Sequence, residues 1–351
     1  MFVVNGRFLT QKPTGVHRFA FEICNKLHEL GVDFYVAVPK EINPDYIFTF
    51  KTVQCGSMSA HLWEQISLPK YLKQQGNPLL VSFSGCGPLN YSNQIITIHD
   101  VSHERHPEWF SKNYCRFYGY MMPRIGKKAH AVITVSEFSK KEIEETLAIS
   151  PEKIHVINCS IPSYHTIDNE IVEFNNKESE RYIVSVSSMD PRKNFIRLVE
   201  AFNRIEDKSV KLYIIGMQFK AFNTPDMQKL IGQNVILTGY LDDESLQSMY
   251  KNALFSVYPS LYEGFGIPPL ESMSYGCPVI ASDIPALKEI NEDAALYIDP
   301  LNVADMSLKM DMLIRDVELR RELSEKGREQ VQKYSWDKSA RQVLDLVKLY
   351  S

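Results

Sequence analysis

Two glutamates, Glu263 and Glu271, flank a loop whose composition is suited to holding a ligand close to the backbone. They stand eight positions apart in the stretch YPSLYEGFGIPPLESMSYG, with two glycines and a double proline between them. Glycine lets a ligand approach backbone amides, and proline is tolerated in the first turn of a helix. Because a carboxylate can accept two hydrogen bonds from a vicinal diol, the pair predicts contacts to a ribose or a hexose.

A second cluster of charges, Asp190 to Asn194, stands between a predicted strand and a predicted helix. Asn194 is predicted to cap the helix. Arg192 and Lys193 then lie beside a helix N-terminus, where N–H groups already favour anions. The pair predicts a phosphate or diphosphate site, although taken alone it is also compatible with a solvated basic loop.

His99 and Asp100 end the predicted strand IITIHD of the first half. His99 is predicted to orient a sugar or to donate a hydrogen bond to it, and Asp100 either caps the next helix or assists an acceptor hydroxyl. The alternative is a structural pair at a strand end. His103 and His106 follow, but no carboxylate spacing completes a metal site, so we expect no bound metal.

These residues need a scaffold that brings several strand ends together. Short apolar runs recur along the chain, each followed by a helical pattern such as GVHRFAFEICNKLHEL. Strands that are apolar throughout are typical of parallel sheets covered by helices on both faces. The polar, acidic residues 163–180 indicate a linker. We therefore predict two doubly wound α/β domains facing a deep cleft, with ligands at the carboxyl ends of the strands.

Bulk composition excludes several classes of protein. The 351 residues are 44% hydrophobic and 23% charged, which is ordinary for a soluble globular chain of about two domains. A net charge of −4 gives no reason to expect nucleic acid as a partner. The six cysteines form no CxxC pair, and neither a signal peptide nor a membrane-spanning run is visible. We expect a cytoplasmic protein, and contact with a membrane surface stays open.

The order of these motifs resembles that of the retaining family 4 glycosyltransferases, which have the GT-B fold. EGFGIPPLE resembles the Glu-x7-Glu signature of that family, and PTGVHRFAFE resembles its first glycine-containing loop. ITIHDVSHERHPEWF resembles the His-bearing strand end of the acceptor domain. ITVSEFSKKEI and SVSSMDPRKN resemble segments of bacterial polysaccharide-assembly (O-antigen type, group 1) members. The resemblance covers nearly the whole chain.

The resemblance implies a role for each matching residue. Glu271 would hold the ribose of a nucleotide, and Lys193, with Arg192, would neutralise the departing diphosphate. Gly15 would let the first domain's loop close over the phosphates. The transferred sugar would be held by Glu263 and by the amides of Gly264, Phe265, Gly266 and Ile267. The implied catalytic residues are His99, Lys193, Arg192 and Glu263.

The resemblance also implies an organisation in four parts, with one departure from the family pattern. The parts are an acceptor-binding domain at 1–165, a linker at 166–180, a nucleotide-sugar-binding domain at 181–335, and a final helix at 336–351 that crosses back to the first domain. Many relatives carry an arginine just before the Pro-Arg-Lys turn, where this chain has Ser187 and Ser188. Either Arg192 serves instead, or fewer charges face the diphosphate.

The implied activity is retaining transfer of a hexose from a nucleotide-diphosphate sugar to a saccharide or polyprenyl-diphosphate-linked saccharide in O-antigen or capsule assembly. GDP-mannose is the first candidate donor, beside dTDP-rhamnose and UDP-hexoses, and no metal or other cofactor is expected. A GT-B epimerase and a non-catalytic sugar-nucleotide-binding protein remain as rivals. A dinucleotide-dependent dehydrogenase is excluded, because no G-x-G-x-x-G follows the first strand.

Residues 103–128 mix aromatic and basic side chains. Such a mixture suits a membrane interface, here the cytoplasmic face of an inner membrane, or a lipid-linked diphosphate. The alternative is a helix that packs its aromatic side chains into the core and keeps its bases outside.

Overall fold

The computed structural model describes residues 1–12, 14–163, 180–188, 190–216 and 231–351. The chain divides into two compact units, one made of residues 1–163 with 335–351 and the other of residues 164–334. The linker predicted at 166–180 lies outside the described residues except for Glu180.

The first unit alternates strands and helices along most of its length. Its strands are β1 (Phe2–Asn5), β2 (Phe34–Val38), β3 (Thr52–Gln54), β4 (Leu80–Ser82), β5 (Gln94–Thr97), β6 (Ala131–Thr134) and β7 (Ile154–Val156). Its helices up to residue 163 are α1 (Gly15–Glu29), α2 (Ala60–Leu62), α3 (Leu68–Gln74), α4 (Ser102–Arg105), α5 (Lys112–Lys128) and α6 (Glu137–Leu147). A π-helical segment, Trp63–Ser67, joins α2 to α3.

The strands of the first unit form a parallel sheet in the order β3-β2-β1-β4-β5-β6-β7. Every residue of β1, β2 and β4 is buried, because their valine, leucine and phenylalanine side chains are covered on both faces. Helix α1 buries Phe19, Ile23 and Leu27 along one stripe, as its periodicity predicts. Strand β3 was not predicted, because it is short, partly exposed and lies at the edge of the sheet.

The second unit repeats the alternation. Its described strands are β8 (Tyr182–Val186), β9 (Lys211–Ile215), β10 (Val235–Gly239), β11 (Phe255–Tyr258), β12 (Val279–Ser282) and β13 (Ala295–Ile298). Its described helices are α7 (Phe195–Phe202), α8 (Asp243–Asn252), α9 (Ile267–Ser274), α10 (Pro285–Asn291), α11 (Val303–Arg315) and α12 (Val317–Val331). The sheet is parallel, in the order β10-β9-β8-β11-β12-β13.

Both sheets reverse their winding at one internal position. In the first unit the chain winds from β1 outward to β3 and then returns to place β4 on the other side of β1. In the second unit it winds from β8 to β10 and then returns to place β11 beside β8. Loops that leave two such neighbouring strands diverge, and ligands bind in the crevice between them. The predicted two doubly wound α/β domains are therefore present.

The last helix, α13 (Trp336–Tyr350), belongs to the first unit. The indole Nε1 of Trp336 donates to the Ile161 carbonyl at 2.7 Å, and its ring lies edge-on to Phe19, with centroids 5.8 Å apart. Ser335 caps the helix by accepting from the backbone N–H of Lys338. Helix α13 is therefore held to the first sheet's helices by specific contacts at its start.

Candidate active site

The loop between β11 and α9 carries Glu263 at the carboxyl edge of the second sheet. Gly266 ends the loop with a φ of 99°, and a Cβ there would overlap the end of the Leu287 side chain. Glycine is therefore required for the turn into α9. Pro268 and Pro269 occupy the first turn of the helix, as the sequence predicts.

Glu263 lies in a buried network with Lys193 and Tyr258. The Lys193 ammonium donates to Glu263 Oε1 at 2.5 Å and to the Tyr258 hydroxyl at 2.7 Å. The Tyr258 hydroxyl in turn donates to Glu263 Oε1 at 2.9 Å. Arg192 Nη1 lies 3.9 Å from the other carboxylate oxygen. The structure thus brings the adjacent residues Arg192 and Lys193 together with Glu263, which lies 70 positions after Lys193 in the sequence.

Lys193 reaches this network from a single 3-10 turn, Pro191–Lys193, that follows β8. Asp190 caps the turn by accepting from the Arg192 N–H at 3.1 Å. The Arg192 carbonyl accepts from the Leu261 N–H at 2.7 Å, which ties this turn to the Glu263 loop. The two loops that diverge from the switch point between β8 and β11 are therefore joined by backbone as well as by side chains.

Asn194 is the N-cap residue of α7, as predicted, but its side chain does not bond to the helix. The residue adopts a left-handed conformation with φ of 60°, and its side chain makes no cap hydrogen bond. Its amide instead donates to the carbonyls of Pro259 and Pro300, at 3.1 and 2.6 Å. Asn194 therefore links the ends of β8, β11 and β13, and short polar side chains are the ones that tolerate this backbone conformation.

The charges of the network oppose the cost of burying them. Burial lowers the pKa of Lys193, and the charge of Glu263 works against that effect. Burial alone would raise the pKa of Glu263, yet the charges of Lys193 and Arg192 hold it below its ordinary value. Burial and the charge of Glu263 raise the pKa of Tyr258 well above its ordinary value. These directions favour the carboxylate form of Glu263 and the neutral phenol of Tyr258.

Glu271 is buried in the middle of α9, where the Ser274 hydroxyl donates to its carbonyl at 2.7 Å. Its charge adds to the effect of burial in raising the pKa of Tyr250, so its carboxylate lies within electrostatic range of that phenol. Phe265 is also buried, edge-on to Tyr334 with centroids 5.5 Å apart. A ligand at this loop would therefore meet the backbone of Phe265 and not its ring.

In the first unit, His99 follows β5 and is partly buried beside Phe19, with ring centroids 5.2 Å apart. Its Nε2 lies 2.9 Å from the Phe83 carbonyl. Because a carbonyl only accepts, Nε2 carries the proton, and the neutral ring offers Nδ1 as an acceptor. Burial lowers the pKa of His99, which favours the neutral ring. A sugar hydroxyl would donate to this ring, in contrast to the expected donation from it.

Asp100 makes the capping contact that was one of its two predicted roles. Its Oδ1 accepts from the backbone N–H of Ser102 at 2.9 Å and from the Ser102 hydroxyl at 2.6 Å. Gly15 is the first residue of α1 and is exposed, so its N–H is one of those that the helix leaves without an internal partner. The roles of these residues in binding remain predictions.

Two family models match consecutive parts of the chain. The model described as glycosyl transferases group 1 matches residues 166–330, and that described as Glycosyltransferase Family 4 matches residues 13–163. The chain belongs to the group 1, family 4 glycosyltransferases. The family predicted from the sequence is therefore confirmed.

Named relatives agree with that assignment, and a solved structure of another protein has the same fold. O-antigen chain mannosyltransferase B of Escherichia coli is 28% identical over 273 residues, which cover 75% of this chain and 72% of that protein. O-antigen chain mannosyltransferase RfbU of Salmonella typhimurium is 27% identical over 316 residues, which cover 85% and 86%. WaaG, a glycosyltransferase involved in lipopolysaccharide biosynthesis, superposes with a TM-score of 0.79 at 17% identity over 99% of both chains. The predicted GT-B fold class is confirmed.

Sequence reasoning missed several polar residues at the carboxyl edges of the glycosyltransferase. Tyr258 belongs to the same stretch as Glu263 but was taken only as part of a strand. Asn5, Arg7 and Glu64, all buried, lie together in the first unit. The available signal was a glutamate beside the tryptophan of HLWEQISLP, and an arginine two positions after the first buried strand.

Two searches bear on metals and membranes. Among the residues that the structure describes, no group of three or more His, Cys, Asp or Glu side chains is arranged to hold a metal ion. Across the same described ranges, no helix has the length and apolar character needed to cross a membrane.

Proposed function

We propose that this glycosyltransferase moves a hexosyl group, with mannose as the first candidate, from a nucleoside diphosphate sugar to a saccharide during O-antigen assembly. The names of two relatives support the mannosyl group and the pathway. The observation that supports a donor site is the network of Lys193, Glu263 and Tyr258, with Arg192 beside it. This network lies where the second sheet reverses its winding, which is where such sheets bind ligands.

The two cations take different roles because their exposure differs. The side chain of Lys193 is 7% exposed and that of Arg192 is 23% exposed. Lys193 holds Glu263 charged and in place, so that the carboxylate accepts from a hydroxyl of the transferred sugar. Arg192 is more exposed and contacts the diphosphate. It thereby replaces the arginine that many relatives carry where this chain has Ser187 and Ser188. Glu271 accepts from the ribose hydroxyls, as the family resemblance implies.

The reaction breaks the bond between the anomeric carbon and an oxygen of the diphosphate. Negative charge grows on the leaving phosphate while the sugar becomes oxocarbenium-like, so cations placed there lower the barrier. In the front-face mechanism that the family implies, the acceptor oxygen bonds to the same face of the sugar. The leaving phosphate oxygen takes the acceptor's proton, so the configuration is retained without a strong protein base.

The proposed reaction needs no metal or other cofactor. Arg192 and Lys193 supply the positive charge that a divalent cation supplies in other phosphate sites. In the first unit, His99 Nδ1 can accept from a hydroxyl and the Gly15 N–H can donate to an anion. Transfer measured with EDTA and with added Mg²⁺ is expected to proceed at the same rate. Loss of activity in EDTA that Mg²⁺ restores would contradict metal independence.

The proposed location is the cytoplasmic face of a membrane, where helix α5 makes the contact. Tyr118 is buried in the core, whereas Tyr114 and Tyr120 are exposed among exposed bases. The Arg124 guanidinium lies 3.7 Å from the centre of the Tyr120 ring. Exposed aromatic and basic side chains on one helix suit an anionic interface. Flotation with anionic liposomes, but not with neutral ones, is expected, and its absence would remove the membrane from the proposal.

A donor panel tests the central proposal. Thermal unfolding is measured with GDP-mannose, UDP-glucose and dTDP-rhamnose, because a ligand at 100 times its Kd stabilises by about 2.7 kcal/mol. One nucleotide sugar, with GDP-mannose expected, should stabilise the wild type and the Lys288→Ala control, whose lysine makes an exposed pair with Asp283. It should not stabilise Glu271→Ala. Stabilisation without transfer or donor hydrolysis would indicate a binding protein, and isotope exchange at C2 without an acceptor would indicate an epimerase.

A further inference from the structure

The first domain holds a buried polar cluster that the proposed donor chemistry does not use. We call it the Arg7–Glu64 cluster, and it consists of Asn5, Arg7, His61 and Glu64. Asn5 ends β1, and its amide donates to Glu64 Oε1 at 2.8 Å and to the Ser82 hydroxyl at 3.2 Å. Glu64 comes from the π-helical segment and has no exposed surface. π-Helical turns inside helices are frequent at functional sites.

The cluster does not satisfy its own hydrogen-bonding groups. Arg7 Nε lies 3.6 Å from Glu64 Oε1 and makes no hydrogen bond to it. Arg7 Nε and Glu64 Oε2 are both buried, and neither has a hydrogen-bond partner among the residues that the structure describes. Most buried polar atoms in proteins are paired, so two unpaired atoms in one ion pair need an explanation. One of them is a donor and the other an acceptor, which together are the complement of a hydroxyl group.

The position of the cluster is that of a ligand site. Asn5 ends β1 and Ser82 ends β4, the two strands between which the first sheet reverses its winding. This is the crevice in which doubly wound sheets bind their ligands. His61 connects the cluster to the surface, because its Nδ1 lies 2.7 Å from Arg7 Nη1 and its side chain is 43% exposed.

We propose that the Arg7–Glu64 cluster binds a hydroxyl group of the acceptor saccharide. This inference rests on the proposed transfer to a saccharide. A hydroxyl accepts from Arg7 Nε and donates to Glu64 Oε2, and it thereby satisfies both atoms. The diphosphate diester of a lipid carrier cannot do so, because it is fully ionised at neutral pH, has no proton for the carboxylate and is repelled by its charge. The cluster therefore recognises the sugar of the acceptor and not the diphosphate of a lipid carrier. Asn5 is a positioning residue that orients Glu64.

Saturation-transfer NMR on the full chain tests the site with methyl α-D-mannopyranoside as the probe. The wild type and Glu29→Gln, which alters an exposed pair with Lys26, are expected to bind the probe equally. Glu64→Gln should bind it at least tenfold more weakly, since a hydrogen bond to a buried charge is lost. Excess inorganic pyrophosphate should not displace the probe. Unchanged binding in Glu64→Gln, displacement by pyrophosphate, or no binding to the wild type would each overturn the proposal.

Two further measurements keep the proposal testable if Glu64→Gln fails to fold or if the proposed donor is wrong. If Glu64→Gln does not fold, the His61→Ala variant is used in its place, because the His61 side chain is partly exposed. This variant should bind the mannoside severalfold more weakly, since Arg7 Nη1 loses its contact with His61. Binding of GDP-mannose is recorded on the same samples. Variants that lose the mannoside but keep GDP-mannose support the acceptor site. A wild type that binds the mannoside through Glu64 but binds no nucleotide sugar supports this site and contradicts the proposed donor.

Discussion

Each of the two sheets has a cation and a carboxylate at its carboxyl edge, near the position where the winding reverses. The two ion pairs differ in their distances and in their hydrogen bonds. At the second edge, Lys193 Nζ lies 2.5 Å from Glu263 Oε1, and Tyr258 bonds to both partners. At the first edge, Arg7 Nε lies 3.6 Å from Glu64 Oε1. Within the described part of the chain, neither that nitrogen nor Glu64 Oε2 has a hydrogen-bond partner. One network is complete without a ligand, and the other is not.

The difference follows from the chemistry of the two cations. A buried lysine can lose its proton, and burial lowers the pKa of Lys193, so a close carboxylate is needed to keep it charged. Arginine stays charged even though burial opposes it, and Glu64 holds the pKa of Arg7 above its ordinary value. Arginine therefore tolerates a looser partner and leaves room for a third group. We infer that the second edge is preorganised for charge, whereas the first edge is completed by its ligand.

Lys193→Ala is expected to have the largest effect. Transfer should fall roughly a hundredfold, and stability should fall by about 3–5 kcal/mol, because Glu263 is left buried without its cation. The double variant Lys193→Ala/Glu263→Ala should recover part of the stability but none of the activity. Single-turnover rates and thermal unfolding check both expectations, with Lys288→Ala as the exposed control. A Lys193→Ala variant with normal turnover would remove the donor assignment.

A pair of matched carboxamide substitutions compares the edges directly. Glu263→Gln should cost about 3 kcal/mol, because two hydrogen bonds from Lys193 and Tyr258 lose a charged acceptor. Glu64→Gln should cost less, about 2 kcal/mol, because an amide oxygen can still accept from Asn5, although Arg7 loses its counter-charge. Urea unfolding measures both, and Glu29→Gln serves as the exposed reference. Equal costs at the two edges would show that the first network is as complete as the second.

The sequence was sufficient to predict the two α/β domains and the charged residues at the carboxyl edge of the second sheet. Apolar runs such as FYVAV and AVIT predicted buried parallel strands, because that fold covers both faces of a sheet. The loop contexts predicted a diol contact for Glu263 and a phosphate site for Arg192 and Lys193. The family resemblance placed all three in one donor site, and they do lie together. Strand β3 was missed, because a three-residue edge strand with one exposed residue has no distinctive pattern.

The features that the sequence did not predict depend on tertiary neighbours. Asn194 looks like a helix cap, but carbonyls from two other loops capture its side chain and fix its left-handed backbone. Glu64 is read as a surface residue unless the π-helical segment that turns it inward is known. The pairing of Arg7 with Glu64 joins positions that share no local pattern.

Acid should lower the stability that Glu263 contributes at the carboxyl edge of the second sheet. Its pKa is held below the ordinary value of 4.5 in the folded state, so the group stabilises the fold above that value and the contribution is lost as the pH falls through the folded pKa. The difference in unfolding free energy between the wild type and Glu263→Gln should be constant above about pH 5 and shrink below it. Urea unfolding between about pH 3 and 7 measures this difference. A difference that grows on acidification would contradict the assigned charge state.

The smallest expected contrast comes from two glycines that border the edges. Gly85 has a φ of 79°, and an added Cβ would lie 3.1 Å from Arg7 Nη2, whereas a Cβ at Gly266 would overlap Leu287 Cδ2. Gly31, with φ of 69° and nothing within 4 Å, is the control for backbone strain alone. Alanine at Gly31 should cost about 1 kcal/mol, at Gly85 slightly more, and at Gly266 about 2 kcal/mol. If the first edge is packed more loosely, the cost in stability of Gly85→Ala should be close to that of Gly31→Ala, whereas Gly266→Ala should cost clearly more. A cost of Gly85→Ala above that of Gly266→Ala would show that the first edge is packed more tightly.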